Sequence, residues 1–131
     1  MNDKKKIVVL EDDRSSARVL TAFLEKKGFE VLSTSEGRFA IELTLREKPD
    51  LLIADIMLPD MNGSEMVKQL KKSAAGKDLN VLFLTSLLSK VAKPGEETKL
   101  RLDGIEFPAL SKPFQPESLF TVVSRLTAGN N

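Results

Sequence analysis

Three runs of four residues, Ile7-Val8-Val9-Leu10, Leu51-Leu52-Ile53-Ala54 and Val81-Leu82-Phe83-Leu84, are apolar throughout and do not alternate with polar residues. A strand with one wet face alternates, so short continuous runs of this kind describe strands covered on both faces, as in a parallel sheet between two layers of helices. The segments between them fit that arrangement. From Ser15 a helix is predicted with Ala17, Leu20, Phe23 and Leu24 on one side, closed by Gly28. Glu30 to Ser33 can form a second strand, Ser35 could cap a helix carrying Phe39, Ala40 and Leu43, and Pro49 ends that helix before the next apolar run. Pro59-Asp60-Met61-Asn62-Gly63 is dense in turn formers and leads into a helix with Met66, Val67 and Leu70, broken at Ala74-Ala75-Gly76. After the run at 81–84 the pattern weakens. Lys93-Pro94-Gly95 interrupts any single long helix, although Pro94 could equally start one through Glu96 to Leu102. Phe107 to Ser111 reads as a short fifth strand, and from Glu117 a last helix presents Leu119, Val122, Val123 and Leu126. Alternating strands and helices with little loop to spare predict an α/β fold with a five-stranded, doubly wound parallel sheet.

At 131 residues the chain is expected to form a single domain, residues 1–131 with a core from about 5 to 127, and no effector domain is expected. Its 20 basic and 19 acidic residues nearly cancel, which gives no support for a nucleic-acid arm or a membrane-binding face. Cysteine and histidine are both absent, removing thiol nucleophiles, thiolate metal sites and imidazole bases together. Chemistry must come from carboxylates, hydroxyls and lysines. The charged start, Met-Asn-Asp-Lys-Lys-Lys, precedes an apolar run too short for a signal peptide or a span, so the expected location is cytoplasmic.

In open α/β sheets ligands bind at the carboxyl ends of the strands, where the strand order reverses. The residues found there are Glu11-Asp12-Asp13, Asp55, Thr85-Ser86 and Ser111-Lys112-Pro113. If the first and third strands are neighbours, three carboxylates converge, and two like charges about 4 Å apart repel by about 4 kcal/mol at an effective dielectric near 20. Either one is protonated or a cation lies between them. An all-oxygen site without histidine suits a hard divalent ion, and magnesium keeps waters that a phosphate can displace. Asp55 is then the candidate nucleophile, with Lys112 and Thr85 available to the phosphoryl oxygens. Taken singly, each residue has an ordinary explanation: Asp13 caps a helix, Asp55 sits in a turn, Thr85 ends a strand. Their combination is what is specific.

Val8-Val9-Leu10-Glu11-Asp12-Asp13, the stretch from Leu52 to Gly63, Phe83-Leu84-Thr85-Ser86 and Ser111-Lys112-Pro113-Phe114 resemble, in order and spacing, the receiver domains of two-component response regulators. The resemblance implies a flavodoxin-like fold with strand order 2-1-3-4-5. It implies a Mg2+ site made by Glu11, Asp12, Asp55 and the Met57 carbonyl, and phosphoryl transfer to Asp55 from a sensor histidine kinase or phosphotransfer protein. Thr85 becomes the switch hydroxyl, and the Lys112-Pro113 bond is often cis in the family. Catalysis is limited to self-phosphorylation and autodephosphorylation, and output to a downstream protein bound at the surface of helix 4, strand 5 and helix 5. An acidic pair registered as Asp12-Asp13 is the alternative to Glu11-Asp12; the family's usual helix length, counted back from Gly28, favours the latter. Two features depart from the family: Ala109 stands where an aromatic is usual, and Thr85 to Lys112 is a few residues longer than usual. They motivate the alternative of a pseudo-receiver, an interaction module that works without phosphorylation. An aspartyl-phosphate hydrolase is disfavoured because Ile56-Met57 supplies no second acid two residues after Asp55.

Overall fold

The computed structural model describes residues 4–74, 76–88 and 90–128. Met1 to Asp3 of the charged start, Ala75 of the expected helix break and the last residues, 129–131, lie outside the described residues. Along the chain run β1 (Lys6–Leu10), α1 (Arg14–Lys26), β2 (Glu30–Thr34), α2 (Gly37–Glu47), β3 (Leu51–Ala54), α3 (Gly63–Lys72), β4 (Val81–Thr85), a single 3-10 turn (Ser86–Leu88), β5 (Thr98–Leu102), β6 (Ile105–Ser111) and α4 (Pro116–Ala128). The strands form one sheet in the order β2-β1-β3-β4-β6-β5. All neighbours are parallel except β5 and β6. The three unbroken apolar runs are β1, β3 and β4, and their residues are buried on both sides of the sheet. On one face Val8, Leu52 and Phe83 pack with Ala40, Leu43, Met66 and Leu70 of α2 and α3. On the other, Ile7, Ile53 and Leu84 pack with Leu20 and Leu24 of α1 and Leu119, Val122 and Val123 of α4.

The doubly wound fold is as expected, but the sheet has six strands rather than five, and the expected fourth helix is replaced. Where a helix could have run from Pro94 to Leu102, Lys93-Pro94-Gly95-Glu96 makes a turn instead. The Glu96 amide donates to the Lys93 carbonyl at 2.9 Å, and Gly95 takes φ +82°. Proline second and a positive-φ glycine third is the pattern of a type II turn. Beyond it, Thr98-Lys99-Leu100-Arg101-Leu102 alternates half-buried and exposed residues, the period of a strand. Asp103 and Gly104, at φ +53° and +79°, then form the two-residue connection to β6, with Leu102 opposite Ile105. Asp-Gly between alternating residues is a hairpin signal in its own right, so the sequence carried the information for β5.

Two local expectations also change. Helix α2 is not capped by Ser35: its N-cap is Glu36, whose side chain makes no capping bond. Phe39 does not reach the core and is 43% exposed.

Candidate functional site

The carboxyl ends of β1, β3, β4 and β6 lie side by side, because Leu10 is in register with Ala54, and Thr85 with Ser111. The next residues along the chain therefore meet at one rim of the sheet. Lys112 reaches from β6 across that rim, its ammonium hydrogen-bonded to Glu11 Oε1 and, at 2.8 Å, to Asp55 Oδ2. Glu11 and Asp55 are both buried. The ammonium supplies the positive charge without which two adjoining carboxylates in this setting repel. Burial by itself pushes the Lys112 pKa down, but its hydrogen bonds to Asp55 and then Glu11 outweigh burial and carry it above the ordinary lysine value. The Lys112-Pro113 peptide is cis.

Asp55 is held at its other oxygen too: the Met57 amide donates to Oδ1 at 3.3 Å. Behind it the loop closes on itself, with Met57 bridged to Asn62 and the Gly63 amide donating to the Ile56 carbonyl at 2.6 Å. A Cβ on Gly63 would lie 2.9 Å from Ile56 Cα and 3.1 Å from the Asp55 carbonyl, so this position needs a glycine for close approach rather than for a positive φ. Asn62 caps α3 by accepting from the Glu65 amide at 2.8 Å.

Of the three carboxylates expected to converge, Glu11 and Asp55 do so through the shared ammonium. Asp12 is exposed, and among the described residues no three acidic groups gather closely enough to hold an ion. Asp13 is the N-cap of α1, accepting from the Ser16 amide at 2.9 Å, and that bond first of all holds its carboxyl below the usual range. The Asp13 amide donates to Glu11 Oε2, so both Glu11 oxygens are engaged. Thr85 is fully buried; its hydroxyl accepts from the Leu87 amide at 3.3 Å, and its carbonyl accepts from the Lys112 amide at 3.1 Å. Ala109, in the position usually aromatic, is fully buried between Phe83 of β4 and Thr98 of β5. The aromatic volume sits two residues earlier, where the Phe107 ring meets Phe83 edge-to-face at 5.6 Å.

The model for the response regulator receiver domain matches residues 7–124. The chain belongs to that family. Receiver domains are the signalling modules of two-component systems, and relatives of this one are found in two settings. It is 34% identical over 118 residues to the alkaline phosphatase synthesis transcriptional regulatory protein PhoP of Bacillus subtilis, covering 88% of this chain and 45% of that protein. It thus spans about half of that relative's length. With protein PilH of Pseudomonas aeruginosa the identity is 30% over 124 residues, 95% of this chain and 98% of PilH. Among solved structures, the receiver domain of a sensor histidine kinase of P. aeruginosa, which carries a magnesium ion coordinated in its active site cleft, superposes with a TM-score of 0.78 at 19% identity. The match covers 95% of this receiver and 98% of that chain. In the described part no helix is long and apolar enough to cross a membrane.

A residue that sequence reasoning missed is Asp60, at the tip of the loop after Asp55. Its two carboxylate oxygens accept from the Gly37 and Arg38 amides, at 2.8 and 3.0 Å. The signal was Glu36-Gly37 itself: a helix start without a good N-cap needs an acceptor from elsewhere.

Proposed function

We propose that this receiver accepts a phosphoryl group on Asp55 from a histidine kinase or phosphotransfer protein, with magnesium, and passes its state on by protein contact. The observation that carries this reading is the fixed Asp55 carboxylate, held by the Met57 amide on one side and by the ammonium that Lys112 shares with Glu11 on the other. A nucleophile held in one orientation, with a positive group already beside it, suits transfer of a charged phosphoryl group.

Glu11 and Asp55, with Asp12 and the Met57 carbonyl next to them in sequence, are the groups that would hold the ion; one or two carboxylates and several waters are what magnesium ordinarily takes. Once bound, it would offset charge on the phosphoryl oxygens. An Asp55 oxygen forms the new O–P bond while the bond from phosphorus to the donor nitrogen breaks, the electron pair leaving with the donor. Lys112 is positioned to follow the added negative charge. Thr85 can turn its hydroxyl from the Leu87 amide toward a phosphoryl oxygen. The chain's own catalysis is then confined to gaining and losing this group. The surface next to Thr85 and Lys112 consists of the 3-10 turn, the β5–β6 hairpin and α4, and it stands where the family's helix 4, strand 5 and helix 5 surface would make the output contact.

The test is incubation with magnesium and acetyl phosphate, followed by intact-mass measurement. One phosphoryl group is expected on the wild type and none on Asp55→Asn. A wild type that stays unmodified beside a competent control receiver would leave the pseudo-receiver as the better reading.

A further inference from the structure

Helix α2 starts without a cap of its own, and the loop that carries Asp55 supplies one. Asp60 reaches the first two amides of the helix at 2.8 and 3.0 Å. Beside it, Met61 fills the space over Gly37: a Cβ there would lie 2.6 Å from Met61 Cγ and 3.3 Å from Asp60 Oδ1. The loop tip is therefore hydrogen-bonded and packed onto a helix whose Ala40 and Leu43 are anchored in the core. The loop's other end holds the nucleophile. Between the tip and Asp55 runs a closed ring: the Met57–Asn62 bridge, the Gly63-to-Ile56 bond, and the Met57 amide on Asp55 Oδ1.

We infer that Asp60 is a positioning residue for phosphoryl transfer: by fixing the loop tip to α2 it sets the Met57 amide, and through it the orientation of the Asp55 carboxylate. The inference rests on the reading of Asp55 as phosphoacceptor. It differs from a purely structural account, in which Asp60 only caps a helix, because it requires that the cap come from the loop. A carboxylate supplied by the helix's own N-cap satisfies amides of its first turn just as well but leaves the loop tip free. A small misplacement of a reacting group is enough to slow a reaction by orders of magnitude.

The experiment compares wild type, Asp60→Ala, Glu36→Asp and the double variant Asp60→Ala/Glu36→Asp. Each is measured for thermal midpoint, for rate of phosphorylation by acetyl phosphate with magnesium, and for hydrogen exchange at the Met57 amide. Asp60→Ala is expected to lower the midpoint, to slow phosphorylation about tenfold or more, and to speed exchange at Met57. Glu36→Asp alone leaves the rate near wild type. The double variant regains the midpoint while rate and exchange stay impaired. If the double variant recovers the rate together with the midpoint, Asp60 is only a cap and the inference fails. An Asp60→Ala protein that reacts as fast as wild type overturns it too, with the reading of Asp55 intact. A wild type that takes no phosphoryl group sinks both.

Discussion

At the scale of single residues, the rim of the sheet is a balance of charge. Lys112→Met removes the one ammonium shared by Glu11 and Asp55, and breaking a buried pair in this way is strongly destabilising, by about 3–5 kcal/mol where burial is complete. With Lys112 part-exposed the expected loss is smaller, about 1–3 kcal/mol. Added magnesium should recover part of it; denaturant titrations with and without the ion measure both, and no recovery argues against ion binding by these carboxylates. Asp60 gives a pH signature. Hydrogen bonds from the Arg38 and then the Gly37 amides hold its carboxyl below the usual range. Its contribution is present above the unfolded value, about 3.9, and is lost as pH falls through the depressed folded value. The stability gap between wild type and Asp60→Ala, about 1 kcal/mol at pH 7, should close in acid. A gap independent of pH from 7 to 3 would contradict the assignment.

At the scale of elements, the β5–β6 hairpin decides how this receiver differs from the family pattern. Phe107 is buried against Phe83, so Phe107→Ala should cost about 3–5 kcal/mol. Restoring the usual aromatic by Ala109→Tyr should not help: Ala109 has no exposed surface and faces Thr98 across the hairpin, and overpacking costs about 1–3 kcal/mol. Equilibrium unfolding of the two variants checks both signs, and a stabilised Ala109→Tyr would show that the side chain has room. Glu97, just before β5, makes a two-pronged ion pair with Arg125 in the last turn of α4, at 2.6 and 2.7 Å. It links the hairpin to the opposite layer of the fold.

Over the whole molecule, ion binding and stability are coupled. Magnesium at 100 times its dissociation constant should add about 2.7 kcal/mol, raising the midpoint in a calorimetric scan, and a chelator should reverse the gain; an unchanged midpoint would count against a site. Most of the architecture was legible because β1, β3 and β4 are covered on both faces and so are written as unbroken apolar runs. The strand ends Glu11, Asp55 and Thr85 were legible for the same reason, since the runs stop where they begin, whereas Lys112 follows the mixed strand read from Phe107 to Ser111. β5 was not: it lies at the edge, its apolar residues alternate with Lys99 and Arg101, and Pro94-Gly95 drew attention to a helix start while Asp103-Gly104 went unused. Asp60 was missed because its partners lie in another helix, a long-range contact that local spacing does not encode. Asp12 was legible only as the neighbour of Glu11 along the chain; it is exposed, and among the described residues no three acidic groups are gathered.

Because β5 lies at the edge and joins the sheet through β6, its detachment would break that ladder together with the packing of Leu100 and Leu102 on the core, while the ladders among the other five strands need not change. Were that margin to open, the edge of β6 would present unpaired backbone groups to an incoming strand, which a packed helix in the same place would not.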